Sequence, residues 1–345
     1  MIRRVLLVAL LLAPLTILLH YVASPGETWE FVLAAVALVP LAWLIGEATE
    51  HAAEHTGPGV GGFLNATFGN APELIIAMIA VNEGLTEVVR GSLIGSVIGN
   101  LLLVLCFSLL FGGKGAVDRR SSFVSLGLVG FALALFLIPA VPGWSGDPER
   151  DSLAGLSTSV SVALLAVYVF VTWRNLRRHR AAHDGADPDV ESWSFRSALL
   201  ALGVATVLTA FVAEILVGSL EAFAEKAHLS DFFVAAVIVA IVGNAAEHGG
   251  AVVVAARGKI ALAAEIALAS SAQVAVFLIP AVVLLAWLID PLALSFRPVE
   301  IGALGAATAL TAIVLRDGRS SHIRGVALLA AYTAIAVAFG IAGDR

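Results

Sequence analysis

Gly69-Asn70-Ala71-Pro72-Glu73 and, 174 positions later, Gly243-Asn244-Ala245-Ala246-Glu247 repeat one polar signature inside apolar sequence. A carboxylate and a carboxamide are costly to hold at membrane depth, so a duplicated pair marks a functional site. The setting is apolar throughout. Hydrophobic residues make up 59% of the 345 and charged residues 13%, more apolar than a soluble domain of this length needs to fill its core. The chain reads as an all-α polytopic membrane protein.

Apolar runs long enough to cross roughly 30 Å of hydrocarbon fall at about 4–23, 29–48, 63–82, 90–112, 120–141, 153–173, 197–219, 232–256, 260–288, 298–315 and 322–342. These predict about eleven transmembrane helices. The first run follows Arg3 and Arg4 and precedes Ala23-Ser24, so it reads either as a retained helix or as a cleaved signal peptide. The single cysteine, Cys106, lies in an apolar run and reads as a small core residue rather than half of a disulfide.

Alternating the spans from a cytoplasmic N-terminus leaves Arg90, Arg150, Lys226, Arg297 and Arg345 outside and the other fifteen of the twenty Lys and Arg inside. This bias supports the span count and the orientation together, because one spurious span would scramble it downstream. The longest connection, 174–196, begins basic and turns acidic at Asp184, Asp187, Asp189 and Glu191. It reads as a cytoplasmic linker. The expected units are therefore an N-terminal helix over 1–28, a first five-helix repeat over 29–173, the linker, and a second repeat over 197–345.

Five is odd, so the second repeat enters the membrane from the opposite side and the halves are inverted. Asn and Glu three residues apart share a helical face, and each signature falls near the middle of its span. The two can then close on one cavity. Gly69 and Pro72 predict an interrupted helix at the first signature. Ala246 in place of proline predicts a gentler break, or one carried by Gly243 alone. Gly95-Ser96-Val97-Ile98-Gly99-Asn100 and Ala269-Ser270-Ser271-Ala272-Gln273 add hydroxyl and carboxamide oxygens, or serve close helix packing. Asn100, Ser271 and His248 read as supporting groups, with His248 turned about 100° from Glu247 on the helix. Glu50 and Glu221 read as carboxylates at the cavity mouths or as solvated helix ends.

An all-oxygen site without thiolate suits a hard cation. Calcium leads because it accepts six to eight oxygens in flexible geometry, with manganese behind it. Two close, desolvated carboxylates cannot both stay ionised without a cation, so an empty site takes up protons. Binding either a divalent cation or protons is the coupling rule of an antiporter.

Over nearly its whole length the sequence resembles the calcium/proton exchangers of the calcium/cation antiporter superfamily. The resemblance is most specific in Gly62-Phe63-Leu64-Asn65-Ala66-Thr67-Phe68-Gly69-Asn70-Ala71-Pro72-Glu73-Leu74-Ile75 and Ile241-Val242-Gly243-Asn244-Ala245-Ala246-Glu247-His248. It implies Glu73 and Glu247 as paired carriers of Ca2+ and protons. Supporting ligands would be Asn70, Asn244, Ser96, Ser270 and Gln273, and the cation path would pass Glu50 and Glu221. Gly99 departs from a common serine and Ala269 from a common glycine. Pro72 is shared with sodium/calcium exchangers, whereas the two asparagines favour the proton-coupled branch.

The resemblance implies a secondary transporter rather than an enzyme. It needs no cofactor beyond the transported Ca2+ and protons. Its partners would be the lipid bilayer and these ions, with a homo-oligomer allowed and no nucleic acid. Alanine, glycine and arginine richness with little lysine suggests a bacterial plasma membrane. Other readings are a sodium-coupled or manganese exchanger, a passive cation channel, and an intramembrane zinc hydrolase using His51, Glu54 and His55, which match H-x-x-E-H. Gly112-Gly113-Lys114-Gly115 lacks the full phosphate-loop spacing and reads as a turn.

Overall fold

The computed structural model describes residues 2–179 and 193–345, and these residues are almost wholly helical. Among them nine helices are long and apolar enough to cross a membrane, or ten if one bent pair is a single span. In chain order the helices are α1 (Arg3–Val22), α2 (Glu27–Phe68), α3 (Ala71–Asn82), α4 (Thr86–Gly112), α5 (Arg119–Gly143) and α6 (Asp151–His179). After the linker come α7 (Phe195–Gly218), α8 (Leu220–Ala227), α9 (Asp231–Gly243), α10 (Ala245–Ala256), α11 (Ile260–Ala286), α12 (Pro298–Leu315) and α13 (His322–Ala342).

The third expected span, 63–82, is not one uninterrupted helix. Its first residues belong to α2 and its remainder to α3, with Gly69-Asn70 between them. The connection expected before it is itself helical, so α2 runs for 42 residues. That helix cannot be straight. A Cβ built on Gly61 would lie 2.8 Å from the carbonyl oxygen of Ala53, eight residues upstream, whereas a straight helix separates such residues by about 12 Å. The chain therefore turns back sharply between them. The acidic stretch expected within the linker lies outside the described residues.

Helices from the two halves interleave. The first helix of each half, α2 and α7, forms the most extensive contact in the molecule; α4 packs on α9, and α11 touches α3. Likewise α4 meets α12 and α13, while α11 meets α5 and α6. Gly91 and Gly95 give α4 a flat face for this approach. A Cβ on Gly91 would come within 2.8 Å of the carbonyl of Phe232, and one on Gly95 would collide with Ala236. Those two positions take glycine because backbone lies against backbone.

Wide π-helical turns occur at Gly99–Val104 in α4, Val274–Leu278 in α11 and Val234–Val239 in α9. The hydroxyl of Thr311 on α12 donates to the carbonyl of Leu101, inside the first of these turns. Such turns disturb the regular ladder and tend to accompany function.

At the face opposite the linker lies an ionic cluster that joins Arg90, at the start of one expected span, to Arg297 and Glu300, at the start of another. Arg90 is 1% exposed and Glu300 fully buried. Arg90 pairs with Glu87 and approaches Glu300 at 3.9 Å, and Arg297 donates to Glu300 at 2.5 Å. Arg297 also lies 4.3 Å over the ring of Phe232. Trp29, Trp144 and Trp287 sit exposed at helix ends on this same face. The indole nitrogens of Trp144 and Trp287 donate to Phe296 O at 2.9 Å and Thr158 Oγ1 at 2.8 Å.

Candidate functional site

Both signatures break their helices at asparagine. Asn70 has φ −102° and ψ 17°, and Asn244 has φ −84° and ψ 10°. Neither angle pair is helical, and each residue precedes a new helix. The first break spans two residues and the second one, so the copy without proline is indeed the gentler. Glu73 and Glu247 each fall in the first turn of the helix that restarts. Backbone amides at a helix start point toward such a carboxylate.

The hydrogen bonds cross between halves. Asn100 Nδ2 lies 2.9 Å from Ser270 Oγ, 3.2 Å from Asn244 Oδ1 and 3.3 Å from Glu247 Oε2. Asn244 Nδ2 donates to Ser96 Oγ at 2.8 Å and to its own helix at Ala240 O at 2.7 Å. Ser270 donates to Glu247 Oε2. One amide group offers two hydrogens, so the three acceptors around Asn100 share them. Asn70, Ser96, Asn100, Asn244, Ser270 and Ser271 are all buried, and Glu247 is partly so.

Glu73 joins the cluster from the other side. It is buried, its Oε2 finds no hydrogen-bond partner among the described residues, and it lies within electrostatic reach of Glu247. A Cβ on Gly243 would meet Glu73 Cγ at 3.2 Å and Oε1 at 3.7 Å. The first glutamate therefore packs on the broken backbone of the second signature. Asn100 Oδ1 is a second buried oxygen that finds no partner among the described residues. Buried acceptors of this kind carry a desolvation cost unless something fills the space between them. A hard cation could do so, and so could protons on the carboxylates. Among the described residues no group of three or more His, Cys, Asp and Glu could hold a metal ion; at this seam amide and hydroxyl oxygens surround the two carboxylates.

Several expected residues lie elsewhere. Ser271 turns to its own helix and donates to Ala267 O at 2.9 Å. Gln273 lines a separate crevice between α5, α6 and α11. His248 Nε2 is buried and finds no hydrogen-bond partner among the described residues. Glu50 and Glu221 are exposed. His51 stacks on Trp193 at 5.1 Å and approaches Glu54 at 3.4 Å, while His55 bonds Trp193 O at 2.7 Å. The H-x-x-E-H match thus engages Trp193, two residues before α7, and among the described residues it forms no group that could hold a metal ion.

The family model described as sodium/calcium exchanger protein matches residues 27–177 and 197–340. The "Ca(2+)/H(+) antiporter" of Synechocystis sp. is 38% identical over 97% of each chain. The "Vacuolar cation/proton exchanger 1b" of Oryza sativa subsp. japonica is 36% identical over 98% of this chain and 79% of its own. Among solved structures, native YfkE superposes with a TM-score of 0.83 at 34% identity, covering 96% of this chain and 99% of that one. With both matched stretches meeting at the broken signatures, the chain belongs to the sodium/calcium exchanger protein family.

Proposed function

We propose that this integral membrane protein is a secondary antiporter exchanging Ca2+ for protons. Its relatives bearing Ca2+/H+ antiporter names, matched over nearly their full length, support the exchanged pair. The site is the Glu73–Glu247 pair, with Asn70, Asn244, Ser96, Ser270 and Asn100 around it. The observation that carries this reading is the placement of Glu73 against Gly243, because it puts both carboxylates at one broken seam.

With Ca2+ bound, both glutamates remain anionic and face opposite charge. When the cation leaves, two desolvated carboxylates confront each other and one or both accept protons. Two protons replacing one Ca2+ would leave the site's charge unchanged. Ca2+ and protons compete for the same oxygens, and this competition couples their fluxes. The halves are inverted repeats that alternate access around the seam, with the linker face cytoplasmic and Ca2+ carried outward. Glu50 and Glu221 gather cation at the two mouths.

Everted vesicles test the coupling. Calcium uptake should require the imposed proton gradient and ignore sodium; uptake that survives collapse of the gradient, or follows sodium instead, refutes it. Glu73→Gln and Glu247→Gln should each abolish exchange. Full exchange in either variant would overturn the site assignment while leaving family membership untouched.

A further inference from the structure

A crevice of about 500 Å³ opens on the linker face between α5, α6 and α11. Its rim carries Asp118, Arg120 and Glu265, all exposed, with Ser121 Oγ bonded to Glu265 at 3.1 Å. Deeper, its polar lining is neutral: Ser125, Tyr168, Thr172 and finally Gln273. From Glu265 to Gln273 the helix rises about 12 Å, close to half of a 30 Å hydrocarbon layer. The crevice therefore reaches the level of Ser270, which bonds Glu247 of the second signature.

Helix α11 forms one wall of that deep end and, at Ser270, bonds Glu247. Its wall there is made of Ala269, Ala272 and Gln273. Gln273 is three residues from Ser270, so the two are neighbours on the helix surface. Ser270 Oγ accepts from Asn100 and donates to Glu247, which leaves one lone pair open toward a further donor.

We propose that this crevice is a water-filled proton route between the linker face and Glu247, separate from the Ca2+ route past Glu50. The proposal rests on the reading of Glu247 as a proton carrier. The lining chemistry distinguishes the two ions. Ca2+ requires six to eight oxygens, usually including carboxylates, and beyond Glu265 the crevice offers none; Arg120 at the rim also repels a divalent cation. A proton needs only a chain of water and hydroxyl. In the step from the linker face toward the site, a water held by the Gln273 carboxamide gives a proton to Ser270 Oγ as Ser270 passes its own to Glu247 Oε2. That water takes an excess proton carried by the crevice water at the same time, so it remains water. Release is the reverse. The serine ends unchanged and one proton has moved.

The test uses the full-length protein in everted vesicles, in a Cys106→Ala background that removes the single thiol. Ser125→Cys should react with a small, membrane-impermeant cationic thiosulfonate added on the linker side. The modification should slow proton-coupled calcium uptake at least fivefold, with the KM for calcium within twofold. An unreactive thiol would mean that lipid fills the crevice, and modification without slowing would place the crevice off the route; either result overturns the proposal. Gln273→Leu should lower the maximal rate and move its pH profile, while equilibrium binding of calcium to the purified protein persists and reports an intact fold. A raised KM for calcium at an unchanged maximal rate would make Gln273 a calcium ligand and also overturn it. Full exchange in Glu247→Gln would instead reject the underlying site reading, whatever the thiol result.

Discussion

Glu73 rests its side chain on the backbone of Gly243, so the carboxylate of one signature is seated by the glycine of the other. A methyl group at position 243 would stand 3.2 Å from Glu73 Cγ, tighter than ordinary van der Waals contact. Gly243→Ala should therefore displace the carboxylate by a few tenths of an ångström while sparing the fold. We expect the KM for calcium to rise roughly tenfold, equivalent to about 1.4 kcal/mol, measured as calcium uptake in everted vesicles. An unchanged KM would mean that the seat does not set cation affinity.

Asn100 is the hub of the cross-half network. Asn100→Ala removes the donor shared by Asn244, Glu247 and Ser270 and strands buried acceptors, at a cost of about 1–3 kcal/mol. Exchange should fall by at least tenfold. Replacing Ser271, whose hydroxyl serves only its own helix among the described contacts, by alanine should change the rate less than twofold.

The buried ionic cluster should matter for stability more than for calcium. Glu300→Gln keeps the side chain's shape but leaves Arg90 and Arg297 short of a counter-charge. Breaking a buried pair from one side costs about 3–5 kcal/mol. The detergent-solubilised variant should melt several degrees lower, while its calcium KM stays within twofold of the parent. A parent-like melting temperature would show that the cluster is more solvated than its burial implies.

On the linker face, Arg324 donates to Asp317 at 2.5 and 2.6 Å and holds that carboxyl well below the usual carboxylate range. Because the folded value lies below the unfolded one, the contribution is present above about pH 4 and is lost only as the pH falls through the lower folded value. The α12–α13 turn should stay fastened over about pH 5 to 8. Asp317→Asn should leave the pH profile of exchange in that range unshifted; a moved acid limb would reveal that this exposed pair is coupled to transport.

The membrane class, the breaks at both signatures and most of the clustered polar residues were legible from residue type and spacing. Hydropathy located the spans because bilayer thickness imposes a length. It could not show that α2 continues through its turn, since that depends on the close pass of Gly61 by Ala53. Nor could it separate Ser270 from Ser271, which differ by one helical step and point to different partners. Gln273 shows the same limit: residue type and depth point to a ligand but do not show that it lines the crevice, one turn from Ser270. Arg90 and Glu300 were harder still. A charge close to a span end looks solvated until a second helix end is known to cover it, and their partners lie more than 200 residues apart in sequence.

The tryptophans of the rim opposite the linker carry a consequence for the surrounding lipid. Trp144 and Trp287 are tied through their indole nitrogens to Phe296 and Thr158, so their rings cannot slide along the membrane normal independently of the helices that hold them. Interfacial tryptophans fix the headgroup level. In a thinner or thicker bilayer it is therefore the lipid, stretched or compressed around a rigid collar, that has to adapt, and the elastic strain falls on the first annulus of acyl chains.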